Sequence, residues 1–201
     1  MRKLLVGLAL IMGFVTTAHA VEGDPAAGKE KAQVCAACHG QQGNSAAPTF
    51  PNIAGQHPAY LVKQITEIRD GVRPVPQMMG IVANLDEQDI ADLAAFYANQ
   101  EPNLGQADPA LVDRGKSLYK SGDLAKGIPA CMGCHMPTGV GVGSARFPAL
   151  SGQHPEYIVS TLQDYAKGER SNDPNAIMRG IASKMSDADM EAVASYVNGL
   201  H

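Results

Sequence analysis

The apolar positions of this chain fall at helical spacing in short runs, and the runs come twice in the same order. Leu61, Ile65 and Ile68 predict a helix opened by Pro58 and closed near Gly71, and Ile158, Leu162 and Tyr165 predict its counterpart between Pro155 and Gly168. Further on, Ser186-Asp187-Ala188-Asp189 has the form of a capping box, after which Met190, Val193, Ala194 and Val197 share one helical face. Asp86 to Asp89, followed by Ile90, Leu93, Ala94 and Tyr97, is the earlier copy of that helix. Each half opens with an acidic residue before proline, Asp24-Pro25 and Asp108-Pro109, which predicts an N-cap and a first helical residue. In the second half Leu111, Leu118 and Tyr119 continue that helix on one face until Gly122. Gly40 to Pro51 and Pro137 to Pro148 are rich in Gly, Ser and Pro and should be irregular, and Asp123 to Ala130, absent from the first half, should be a surface loop. No stretch alternates convincingly as a strand, so the expected class is all-α.

The repetition extends to chemistry. Cys35-Ala36-Ala37-Cys38-His39 returns as Cys131-Met132-Gly133-Cys134-His135, and the chain has 4 cysteines, all within these two segments. Two thiols and an imidazole at this spacing attach a c-type haem: each sulfur adds across a vinyl group, and the histidine ligates the iron. A redox dithiol or a four-thiolate zinc site would also use Cys-x-x-Cys, but neither requires a histidine directly after each pair. Two copies predict two haem c groups. Phe50-Pro51 to Tyr60 recurs as Phe147-Pro148 to Tyr157, and Met78-Met79-Gly80 as Met178-Arg179-Gly180, so the chain divides into an N-terminal domain at 21–100, a linker at 101–107 and a C-terminal domain at 108–201.

Composition adds a compartment. Met1-Arg2-Lys3, an apolar run from Leu4 to Val15 and Ala18-His19-Ala20 form a secretory signal peptide over 1–20, cleaved near Ala20. That apolar run is short for a bilayer, which needs about 20 residues. Export together with Cys-x-x-Cys-His points to the bacterial periplasm. The formal charge of −4 becomes more negative when Arg2 and Lys3 are removed, which argues against a nucleic-acid partner. Aromatic residues make up only 5% and Trp is absent, a thin supply for two small cores that buried haems would supplement.

An iron held by one histidine keeps one face free, and what fills it separates a carrier from an enzyme. Met78 and Met178 lie at equivalent places, 39 and 43 residues beyond His39 and His135, in loops before the last helix of each half. A thioether there would stabilise the reduced iron. Met79 has Arg179 as its partner in the repeat, so it is set aside. His57 and His154 are rival ligands, although each stands before a helix-opening proline, where a polar contact near the haem or between domains is the alternative. Pro51 and Pro148 either accept from the ligating imidazoles through their carbonyls or simply stiffen the loop.

With both Cys-x-x-Cys-His motifs, both Phe-Pro-x-x-x-Gly-Gln segments and both Met-x-Gly segments placed, the chain resembles the di-haem cytochrome c4 family over nearly all of its length after residue 20. The resemblance implies two tandem class I cytochrome c domains, with His39 and Met78 on one iron, His135 and Met178 on the other, and the Pro51 and Pro148 carbonyls accepting from the imidazoles. It implies a periplasmic protein, in some members peripherally associated with the membrane, that passes electrons towards terminal oxidases. The Gly-x-x-x-aromatic pattern usual in the first helix is met by Gly115 to Tyr119 but not by Gly28 to Ala32. The expected function is a two-haem shuttle from a quinol-oxidising complex or another donor to a terminal oxidase, with no enzymatic activity. The alternatives are the cytochrome subunit of a dehydrogenase complex and a di-haem peroxidase.

Overall fold

A computed structural model describes residues 21–201; the signal peptide expected at 1–20 and its expected cleavage near Ala20 lie outside the described residues. The first half runs α1 (Pro25–Lys31), α2 (Ala36–His39), α3 (Pro58–Arg69), α4 (Pro76–Val82) and α5 (Glu87–Ala98). The second repeats it as α6 (Val112–Ser121), α7 (Met132–His135), α8 (Pro155–Lys167), α9 (Ile177–Ala182) and α10 (Asp187–Asn198). Among the described residues the only extended pairings are two isolated bridges, so the fold is all-α.

The end helices are stopped and started by the residues that announce them. Asp24 caps α1 through Ala26, and both final helices carry reciprocal capping boxes, Asp86 with Asp89 and Ser186 with Asp189. Asp108 behaves differently. Its carboxylate accepts from Ala110 N–H at 2.8 Å, but the chain first makes a turn, and the helix proper begins only at Val112. Met78 and Met178 also depart from expectation: they lie within the short helices α4 and α9 rather than in loops. The segment at 123–130 is less peripheral than expected, because Asp123 bridges to Ile128 and Ile128 is buried.

In each half the first helix crosses the last at a glycine. A Cβ on Gly28 would overlap the Asp92 carbonyl oxygen, and one on Gly115 would overlap that of Ala192, so each crossing requires hydrogen at that position. The missing aromatic at Ala32 has a structural answer. Tyr119 fills the second crossing from the first helix, against Val197; in the first half Ala32 is small and Tyr97, at the place of Val197, supplies the ring from the last helix. Large and small side chains have exchanged helices, and both rings are 2% exposed or less.

Asp92 fastens the first crossing. Its carboxylate, 2% exposed, accepts from Lys31 Nζ at 2.7 Å, Asp24 N–H at 2.8 Å and Gln88 Nε2 at 2.8 Å. The bond from the Lys31 ammonium, followed by those from Asp24 and Gln88, holds its pKa down to about 2. A depressed carboxylate pKa contributes stability that is fully present above the ordinary value of about 4 and is lost as pH falls through the folded value. Asp92→Asn should therefore cost about 2 kcal/mol at neutral pH and flatten the acid-unfolding curve between about pH 4 and 2, read by circular dichroism. Asp189, bonded to Arg114 and Lys126, fastens the second crossing in the same way.

Candidate functional site

Each Cys-x-x-Cys-His segment forms a single helical turn, α2 or α7, which puts its two sulfurs on one side and leaves the histidine at the end. All four thiols are free, partly buried and line a cavity of about 610 Å³ shared by the two halves. Burial pushes the Cys35 thiol up and takes Cys131 to about 11. Raised thiols are poorly suited to a redox dithiol, which works as thiolate. Among the described residues no three His, Cys, Asp or Glu side chains converge as a metal cluster either.

The two imidazoles are held alike. His39 Nδ1–H donates to the Pro51 carbonyl at 3.0 Å, and His135 Nδ1–H to the Pro148 carbonyl at 2.9 Å. Because a carbonyl can only accept, the proton is on Nδ1, and Nε2 keeps its lone pair on a ring that lines the cavity. Burial lowers both histidine pKa values, partly opposed by these bonds, and so favours the neutral imidazole. Met78 and Met178, both half-buried, line the same cavity, whereas Met79 is exposed. His57 and His154 do not line it. Their Nε2 atoms contact backbone carbonyls of the opposite half, Val140 at 2.8 Å and Ser45 at 3.0 Å.

The interface between the halves is isologous: equivalent residues contact each other's surroundings across a local two-fold relation. Arg73 donates to Tyr157 Oη at 3.2 Å and Arg170 to Tyr60 Oη at 3.1 Å. Gln64 Oε1 accepts from both guanidinium groups, at 2.9 and 3.0 Å, and Arg170 lies 4.7 Å from the Tyr165 ring centre. Arg170 is buried, and among the described residues no carboxylate forms a salt bridge with either arginine. Burial alone would raise Tyr157, yet the charges of Arg73 and Arg170 and the hydrogen bond from Arg73 hold it below the usual tyrosine range. Unpaired cations at a cavity wall are costly unless an anion joins them. A haem fits this donor set: free thiols for its vinyl groups, an imidazole lone pair and a thioether for iron, and guanidinium groups for its propionates. Tyr97 Oη, buried on the cavity wall without a hydrogen-bond partner, is a further polar atom that a bound group can satisfy.

Sequence reasoning passed over Arg73, Arg170, Gln56 and Gln153, whose polarity suits an ordinary surface. The available signal was their recurrence, each arginine standing two residues beyond the glycine that follows a helix, Gly71 or Gly168.

Comparisons with known proteins agree with this geometry. The family model described as Cytochrome c matches the chain twice, over residues 25–100 and 112–201. The chain is 51% identical to cytochrome c4 of Pseudomonas aeruginosa, with all of both chains covered. It is 38% identical to a thiosulfate dehydrogenase electron acceptor of Thiomonas intermedia, over 86% of this chain and 81% of that one. Its fold superposes with a TM-score of 0.87 on the crystal structure of reduced recombinant cytochrome c4 from Pseudomonas stutzeri, 46% identical, covering 89% of this chain and 100% of that one. The chain belongs to the cytochrome c4 family and is a di-haem electron-transfer protein with two covalently bound haem c groups.

Proposed function

We propose that this protein is a periplasmic electron shuttle in which His39 and Met78 ligate one iron and His135 and Met178 the other. Cys35 and Cys38 anchor one haem through thioether bonds and Cys131 and Cys134 the other, within domains at 21–100 and 108–201 joined by 101–107. The observation that carries the reading is the duplicated set of two thiols, an imidazole and a thioether lining one cavity. When bound, each haem supplies a one-electron couple.

The chain's own residues do the rest. The Pro51 and Pro148 carbonyls fix each imidazole's tautomer and orientation and raise its basicity as a ligand. Met78 and Met178 would hold the irons through their thioethers, which would favour the reduced form and leave no place for a substrate. Apolar walls from Leu61, Ile65 and Leu93, matched by Ile158, Leu162 and Val193, keep water out. Arg73 and Arg170, which form no salt bridge among the described residues, would hold the haem propionates through charge-assisted hydrogen bonds.

Electrons arrive from a quinol-oxidising complex or another donor and leave to a terminal oxidase. A second reading, as electron outlet of a dehydrogenase, is favoured by the likeness to the thiosulfate dehydrogenase electron acceptor. Stopped-flow mixing separates them: reduced protein oxidised rapidly by oxidase-containing membranes supports the first, and rapid reduction by a purified dehydrogenase with no oxidation by such membranes supports the second. Protein from the periplasm should carry two haems per chain that resist acid extraction. One haem, or haem released by acid, would contradict the attachment residues.

A further inference from the structure

We propose that Gln56 and Gln153 are crossed positioning residues, each tuning the proximal histidine of the opposite half: Gln153 acts on His39, and Gln56 on His135. The proposal rests on the reading of His39 and His135 as iron ligands.

The connection runs through single peptide groups. The carbonyl of the peptide between Pro51 and Asn52 accepts from His39 Nδ1–H at 3.0 Å, while the N–H of that same peptide donates to Gln153 Oε1 at 2.8 Å. In the other half, the carbonyl between Pro148 and Ala149 accepts from His135 Nδ1–H at 2.9 Å, and its N–H donates to Gln56 Oε1 at 2.9 Å. A peptide is a resonance unit, so an acceptor at its N–H shifts electron density onto its oxygen. Hydrogen bonds linked this way strengthen one another by roughly 10–30% each. A stronger acceptor draws the Nδ1 proton, makes the imidazole a stronger donor to iron and favours the oxidised state.

Both glutamines are built for this role. Each is only 6% exposed, so water does not compete for the amide. Gln153 Oε1 also accepts from His154 N–H at 3.0 Å, and Gln56 Oε1 from His57 N–H at 3.1 Å. The amide nitrogens donate back across the interface, Gln153 to the Asn52 carbonyl at 2.8 Å and Gln56 to the Ala149 carbonyl at 3.0 Å. A reversed amide would set an NH₂ group against two N–H donors, so the oxygen's position is determined by its partners.

If the glutamines only join the halves, removing one should disturb both haems alike, as should removing the His154 contact to the Ser45 carbonyl. The crossed role predicts otherwise. In holoprotein, Gln153→Leu should raise the potential of the N-terminal haem alone, and Gln56→Leu that of the C-terminal haem alone. Each should move the electron of the half-reduced protein towards the affected haem by about threefold, equivalent to about 28 mV at 59 mV per tenfold. The histidine Nδ1–H resonance of the opposite half should move with it, and His154→Ala should leave both potentials in place. Gln153→Glu, which retains the accepting oxygen and adds negative charge, should lower the N-terminal potential more than the C-terminal one, and it carries the test if the leucine variant does not assemble. Shifts in the glutamine's own half, equal shifts in both, or none would overturn the proposal while leaving the ligand reading intact. Native protein lacking the proximal-histidine resonances of a ligated haem would overturn the ligand reading, and this proposal with it.

Discussion

Met178→Ala is expected to lower the potential of the C-terminal haem by on the order of 0.1–0.3 V, within the roughly 0.8 V range commanded by axial ligands, and to open its iron to carbon monoxide when reduced. Alanine leaves no sulfur at that position, and Met185, which also lines the cavity, packs against the core formed by Tyr165, Met190 and Val193. Loss of the thioether removes the ligand that favours reduced iron, so the sign is downward. Met78→Ala should do the same to the N-terminal haem. The adjacent Met79 provides the internal comparison: it is exposed and paired in the repeat with Arg179, so Met79→Ala should leave both potentials in place. Spectroelectrochemistry with carbon monoxide titration reads both effects, and unchanged potentials in both Met78→Ala and Met178→Ala would remove these residues from the irons.

The second large effect concerns architecture. Gly28→Ala and Gly115→Ala should each destabilise the protein by about 3 kcal/mol, the upper end of the cost of forcing extra volume into a packed site. The atom that a Cβ would strike is backbone, the Asp92 or Ala192 carbonyl oxygen, which cannot swing aside as a long side chain would. Relief requires the first and last helices of that half to separate, loosening the core around Tyr97 or around Tyr119 and Val197, which also line the cavity. Gly80→Ala in α4, where nothing lies within 4 Å of the new atom, should be neutral or slightly stabilising. Thermal denaturation of the three variants checks the contrast.

These two effects draw on information of different range, and that difference explains what could be read from sequence. The capping boxes at Asp86 and Ser186 and the stripes on α3, α5, α8 and α10 depend on residues three or four apart, so they were legible and lie where the pattern placed them. The cysteines and histidines were legible for the same reason. Met78 and Met178 were identified by repetition, but their helices were not. Segments of six or seven residues containing Gly80 or Gly180 have too few turns to display a period, and Pro76 was the only strong local start signal in α4. Asp108-Pro109 misled by about three residues, because a capped turn and a capped helix begin alike.

The long-range features were out of reach. Ala32 reads as a missing aromatic, and Tyr97 supplies the ring from a helix some 60 residues on. Gln56 and Gln153 bind backbone of the opposite half, across about 95 residues of chain, and nothing in their neighbourhoods marks them as buried. Arg73 and Arg170 are similar: their unpaired charges carry meaning only once the two halves face each other. In a duplicated chain, polar residues conserved between the copies without a local role are the place to look for the interface.

In the proposed ligation each iron is held by one imidazole and one thioether. The iron–thioether charge-transfer band of the oxidised native protein, measured per iron, decides it. Full intensity for two irons is expected, halved in Met78→Ala or Met178→Ala and absent in the double variant. A native band accounting for only one iron, or for none, would contradict it.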